Sequence, residues 1–134
     1  MAELWLHSRR AAAGIPPAAH TDDEVRAWFR EVVLPSRDVW VSARGSELRS
    51  MMVLDGLWVE QLYVAPESLH QGYGSGLLQH AQSMRSQLEL WAFEANTAAR
   101  AFYERHGFSV TGPAVSDNEE GVPAVRYRWT RSPG

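Results

Sequence analysis

Trp58-Val59-Glu60-Gln61-Leu62-Tyr63-Val64-Ala65-Pro66-Glu67-Ser68-Leu69-His70-Gln71-Gly72-Tyr73-Gly74-Ser75-Gly76-Leu77-Leu78-Gln79-His80-Ala81-Gln82 reads as strand, loop, glycine turn and helix. Trp58 to Val64 is rich in β-branched, aromatic and aliphatic residues. Asp55-Gly56 precedes it and Pro66 follows it, which bounds a strand. Gly72, Gly74 and Gly76 then open a helix whose apolar positions Leu77, Leu78, Ala81 and Met84 fall on one face. Glycine lets backbone N–H groups come close to a ligand. The free N–H groups at a helix start, with the positive end of its dipole, favour an anion such as a phosphate.

The spacing excludes several familiar loops. A dinucleotide fingerprint places G-x-G-x-x-G directly after the strand. Here Ala65 to Gln71 intervene and the spacing is G-x-G-x-G. A P-loop needs Gly-Lys-Ser/Thr, and the chain has no lysine. A nucleophile elbow needs G-x-S-x-G, and Ser75 in Gly-Tyr-Gly-Ser-Gly is one place off. The plain alternative is a turn whose glycines only permit tight packing.

Working outward, Thr21-Asp22-Asp23-Glu24 forms a capping box with acids at the positive helix end. Val25, Trp28, Phe29, Val32 and Val33 follow at i, i+3, i+4, i+7 and i+8, an amphipathic helix expected to end at Pro35. Trp28 and Phe29 are core positions by that period. Met1 to Ala13 is a candidate short helix, closed by the breaker Gly14-Ile15-Pro16-Pro17. Val39 to Ala43, Glu47 to Leu54, Leu88 to Phe93, Phe108 to Thr111 and Ala124 to Thr130 read as strands. Asn96 can cap a helix that ends at Gly107. Gly112 to Pro123 is a polar loop, and Arg131 to Gly134 reads as a loose tail. The order argues for an α/β fold, with parallel pairing in part of the sheet and hairpins elsewhere.

Length predicts a single domain over 1–134. A hydrophobic share of 45% and a charged share of 22% fit an ordinary globular chain. The net charge of −3, without a basic tail, argues against a nucleic-acid partner. The absence of cysteine excludes disulfides, thiolate metal sites and a cysteinyl acyl-enzyme. All thirteen basic residues are Arg, which excludes Schiff-base chemistry on lysine. No stretch resembles a signal h-region or a membrane span, so a cytoplasmic location without membrane partners is expected. His7, His20, His80 and His106 lack metal-ligand spacing, and no metal is expected.

Gln71-Gly72-Tyr73-Gly74-Ser75-Gly76 fits Gln/Arg-x-x-Gly-x-Gly/Ala. That pattern resembles the acetyl-CoA pyrophosphate loop of the GCN5-related N-acetyltransferase (GNAT) superfamily. Leu90-Trp91-Ala92-Phe93-Glu94-Ala95-Asn96 followed by Ala99-Arg100-Ala101-Phe102-Tyr103-Glu104-Arg105-His106-Gly107-Phe108 is similar to a second block of that family. The resemblance runs from about Val39 to Trp129. It implies the acyl-CoA N-acyltransferase fold: a mixed, mostly antiparallel sheet with helices on both faces. The family's first strand is missing or short here, unless Leu4 to His7 is its remnant. A sheet edge left bare in that way would suit a homodimer.

The resemblance also implies roles. Acetyl-CoA is the cosubstrate, its pyrophosphate on Gln71 to Gly76 and its pantetheine arm on the strand around Leu62, Tyr63 and Val64, whose N–H groups polarise the thioester. Asn96 positions the cofactor or simply caps its helix. Tyr103 is the candidate general acid for the departing thiolate, or else a packed aromatic. Glu60 is the first candidate base, because strand alternation would place it on one face with Leu62 and Val64; the alternative is a solvent-facing acid. Glu119 and Glu120 are candidates to bind or deprotonate the amine, and His70 and Arg100 to meet the cofactor. The expected reaction is direct transfer of acetyl to a primary amine, on a small molecule or a peptide, in a ternary complex. The competing expectation is a non-catalytic module that binds acyl-CoA.

Overall fold

The computed structural model describes residues 2–11 and 20–132. The expected breaker at Gly14 to Pro17 lies outside them. Helix α1 (Ala2–Ala11) comes first and α2 (Asp22–Trp28) second. No strand precedes α1 among the described residues, and Leu4 to His7 is helical rather than a remnant strand. Thr21 caps α2 as its sequence predicts: the Thr21 hydroxyl accepts from the Glu24 N–H, and the Glu24 carboxylate accepts from the Thr21 N–H. This helix does not stop at Pro35. It widens into a π-helical segment, Phe29–Val33, and closes with a short turn α3 (Leu34–Ser36). Leu34 N–H bonds the Phe29 carbonyl, five residues back, and this shift in register lets the proline sit inside the last turn.

Strands β1 (Asp38–Arg44), β2 (Glu47–Asp55) and β3 (Trp58–Val64) form an antiparallel meander. Helix α4 (Tyr73–Met84), β4 (Gln87–Phe93), α5 (Thr97–Arg105), β5 (Ser109–Val110) and β6 (Ala124–Thr130) follow. The sheet order is β1-β2-β3-β4-β6-β5, with β3 and β4 the parallel neighbours. Those two share one ladder pair, Trp58 with Glu89, and the backbone bond from Glu89 N–H to Leu57. Beyond it they splay apart.

Alternation along β2 assigns the layers. Met52 and Leu54 face α4 and α5 in one cluster with Leu78, Leu88, Leu90 and Tyr127. Met51 and Val53 face α1 and α2 with Trp5, Leu6, Phe29 and Val33. Both faces are therefore covered, and Met51 to Leu54 is an unbroken apolar run with no solvent exposure. Burial of each such side chain stabilises the fold by about 1.5–3 kcal/mol. Arg131 is not part of a loose tail. Its N–H bonds Ser86, and its guanidinium donates to the carbonyls of Gln82, Ser83 and Arg85 at the end of α4.

Candidate active site

The splay between β3 and β4 is the centre of the site. Ala65 N–H donates to Arg49, so the bonded positions of β3 facing β2 are Tyr63 and Gln61. The backbone groups of Leu62 and Val64 therefore point into the gap towards β4. Of the expected Leu62-Tyr63-Val64 amides, the Tyr63 N–H is spent on the β2 ladder and those of Leu62 and Val64 face the opening. The Val64 carbonyl accepts from the buried Ser8 hydroxyl of α1 at 3.0 Å.

The glycine loop stands at one mouth of the gap. Gly72 precedes α4 with φ 87°, in the left-handed region that favours glycine. Gln71 reaches back to the Glu67 carbonyl at 3.3 Å and holds the loop. His70 is also left-handed, with φ 63°, and exposed. Tyr73, Gly74 and Ser75 form the first turn of α4, so their N–H groups have no acceptor within the helix. The glycines divide the work. A Cβ on Gly74 would lie 3.2 Å from Val64 Cγ2 and 3.5 Å from Phe102 Cζ, so this glycine seats α4 against β3 and α5. A Cβ on Gly76 would meet nothing within 4 Å, so the space beside it is open for a ligand.

Asn96 caps α5: its side-chain oxygen accepts from Ala99 N–H at 3.2 Å. Tyr103, 9% exposed, projects from α5 into the core beside Phe102, Phe108 and Tyr127. Among the described residues nothing hydrogen-bonds its hydroxyl. Burial pushes the Tyr103 phenol well above its ordinary range, and Tyr63 across the gap adds to the shift, so Tyr103 keeps its proton. Arg100, in contrast, belongs to the scaffold, donating to the Tyr127 hydroxyl at 2.9 Å and the Glu94 carbonyl at 3.3 Å.

Glu60 departs from the alternation expected of it. The pairing shifts from Val53–Gln61 to Leu54–Val59, which leaves Glu60 as the extra residue of a β-bulge. Val59 and Leu62, three apart, consequently pack on the same cluster. Glu60 Oε2 takes the Arg37 guanidinium at 3.0 Å, whereas its Oε1 is buried without a partner.

Behind the gap, on the α1 side, lies a cavity of about 400 Å³. Its lining runs from buried or half-buried side chains, Trp5, Arg9, Val25, Trp28, Gln61 and Glu120, to the exposed His20, Glu24 and Glu119, which form its rim. Trp5 Nε1 donates to the Gln61 side chain at 2.8 Å. Arg9 pairs with Glu120 at 3.2 Å, and its guanidinium lies over the rings of Trp5 and Phe93. Burial raises the Tyr63 phenol, opposed by Arg9 beside it and reinforced by Glu120. Glu120 and Glu119, the late-loop acids singled out in the sequence, both line this cavity. Arg9, Trp5 and Gln61 were not singled out there, because residues on α1, β3 and the late loop meet only through the tertiary fold. Among the described residues no group of three or more His, Cys, Asp and Glu side chains could hold a metal ion. No described helix is long and apolar enough to cross a membrane.

This mixed sheet with its splayed central pair, glycine loop and helix tyrosine defines an acyl-CoA N-acyltransferase fold. The acetyltransferase (GNAT) domain family matches residues 35–110, and the chain belongs to that family. It is 27% identical over 128 residues to the peptidyl-lysine N-acetyltransferase YiaC of Escherichia coli (strain K12), covering 95% of this chain and 86% of that protein. It is 33% identical over 119 residues to the peptidyl-lysine N-acetyltransferase YjaB of Escherichia coli (strain K12), covering 86% of this chain and 78% of that protein. The solution structure of apo-form YjaB from Escherichia coli superimposes with a TM-score of 0.77 at 27% identity, covering 98% of this chain and 90% of that one. The chain is an acetyl-CoA-dependent N-acetyltransferase, which sets aside the non-catalytic alternative.

Proposed function

We infer that this enzyme moves the acetyl group of acetyl-CoA directly to the side-chain amine of a lysine in a peptide or protein. The observation that carries the reading is the β3–β4 gap, with a glycine-lined helix start at one mouth and a polar-floored cavity behind it. The relatives named above act on peptidyl-lysine, and the cavity suits an amine arm entering from the side opposite the glycine loop.

When bound, acetyl-CoA supplies a thioester activated for attack. Gln71 to Gly76 would hold its diphosphate through the N–H groups of Tyr73, Gly74 and Ser75 and the open space beside Gly76. The N–H groups of Leu62 and Val64 are aimed at the developing oxyanion. Asn96 serves its helix first and lines the cofactor's path second. Tyr103, held neutral by burial, donates its proton to the leaving sulfur. The amine must shed its proton before attack, and Glu120 is the cavity's innermost carboxylate. Glu60 stands as the second reading for the base, because its Oε1 is buried with no partner to satisfy.

The test is CoA release from acetyl-CoA with lysine peptides. Tyr103→Phe lowers kcat by roughly 100-fold while the Kd for CoA, read by calorimetry, stays unchanged. Glu120→Gln flattens the acidic limb of the rate profile if Glu120 is the base, and Glu60→Gln does so if Glu60 is. No turnover on any lysine peptide, with turnover on a small amine, overturns the assignment of acceptor.

A further inference from the structure

Charge is distributed unevenly along the acceptor cavity. On its floor Arg9 and Glu120 form a matched pair with side chains 9% and 16% exposed. At its mouth stand Glu24 and Glu119, 59% and 66% exposed, and neither has an arginine partner among the described residues. Their basic neighbour is His20, whose ring lies 3.1 Å from Glu119 and 3.6 Å from Glu24. Elsewhere on the same helices the acids are matched by arginine: Glu3 and Asp23 share Arg26, and Asp22 takes Arg10. The mouth therefore holds two carboxylates against one imidazole, from two elements that frame one opening. Trp28, partly exposed in the wall beside them, offers an aromatic face.

A lysine that reaches the gap from within a polypeptide leaves its flanking residues at this mouth. We propose that Glu24 and Glu119 are specificity-determining residues that select acceptor lysines flanked by a second cation, arginine above all. This rests on the lysine reading given above. A guanidinium can take both carboxylates with its fork of donors and lie on the Trp28 ring, displacing His20 from its bridging place.

The experiment compares two blocked peptides, acetyl-Ala-Lys-Arg-amide and acetyl-Ala-Lys-Glu-amide, as acceptors for the wild type and for Glu24→Gln/Glu119→Gln. Glutamine at 24 keeps the capping box, and a thermal melt checks the fold. The wild type prefers the Arg peptide in kcat/KM by roughly five- to tenfold at low salt, and the double variant brings the ratio within about twofold. At 0.5 M salt the wild-type preference fades. A wild-type ratio near one, or a ratio that survives in the double variant, overturns the proposal. If neither peptide is acetylated, the lysine assignment fails, and calorimetry with the same peptides still decides the mouth. Tighter binding of the Arg peptide to the wild type alone upholds it; equal binding overturns it.

Discussion

Gly76 offers a substitution in which stability and ligand affinity should move in opposite directions. Its added Cβ meets nothing within 4 Å, and the residue lies in the first turns of α4. Replacing a helical glycine with alanine at an unobstructed site stabilises by about 0.5–1 kcal/mol. In a chain of this size that raises the melting temperature by roughly 2–4 °C. Gly76→Asp should also fold, because no neighbour stands in the way. Its carboxylate, however, would face the diphosphate of the donor. At about 5 Å each pair of like charges costs about 1 kcal/mol in water and about 3 kcal/mol at an effective dielectric of 20. Affinity for CoA should fall roughly 10- to 100-fold, as read by calorimetry, in a protein whose melt is intact. Gly74→Ala is the contrast: its Cβ crowds Val64 Cγ2 at 3.2 Å, so it should lose stability before it loses affinity. A folded Gly76→Asp protein that binds CoA as tightly as the wild type refutes the placement of the diphosphate.

Other perturbations probe the scaffold. Arg9→Met leaves the little-exposed Glu120 carboxylate without its cation and should cost about 2–4 kcal/mol in urea unfolding, partly recovered when Glu120→Gln is added; a change under about 0.5 kcal/mol contradicts the pairing. Arg131→Ala removes the donors from three carbonyls at the end of α4 and should cost about 1 kcal/mol by the same measurement. Hydrogen bonding and charge from Glu119, then Glu24, raise the His20 pKa. A raised histidine contributes stability that is fully present below its ordinary value of about 6.5 and lost as pH rises through the folded value. The melting-temperature advantage of the wild type over His20→Ala should therefore shrink between pH 6 and pH 8.5; an advantage that grows with pH contradicts the link.

What the sequence discloses is local. The capping box at Thr21, the glycine loop and the helix entry at Asn96 are written in adjacent residues, and each forms as read. The strands were legible because Asp55-Gly56 and Pro66 bound them. What escaped depends on distance along the chain. The bulge at Glu60 arises from how β2 and β3 register, and it removes the simple alternation that made Glu60 the first choice of base. The pair of Arg9 with Glu120 joins residues 111 positions apart, and no local pattern announces it. Pro35 gave a sound local stop signal, which a change in helical register three-dimensionally accommodates. Tyr103 was visible as a motif position, but its burial among Phe102, Phe108 and Tyr127 was not.

The lone rung between Trp58 and Glu89 makes the sheet two halves sewn by a single stitch. Along that seam the backbone has hydrogen-bonding capacity with no strand to receive it, so a guest carrying amides of its own can complete the weave. Such a guest would clamp the halves, and the Glu89 amide would then exchange its hydrogen far more slowly than in the empty enzyme. A donor held in this way would be a temporary strand of the protein, unpicked and restored with each catalytic cycle.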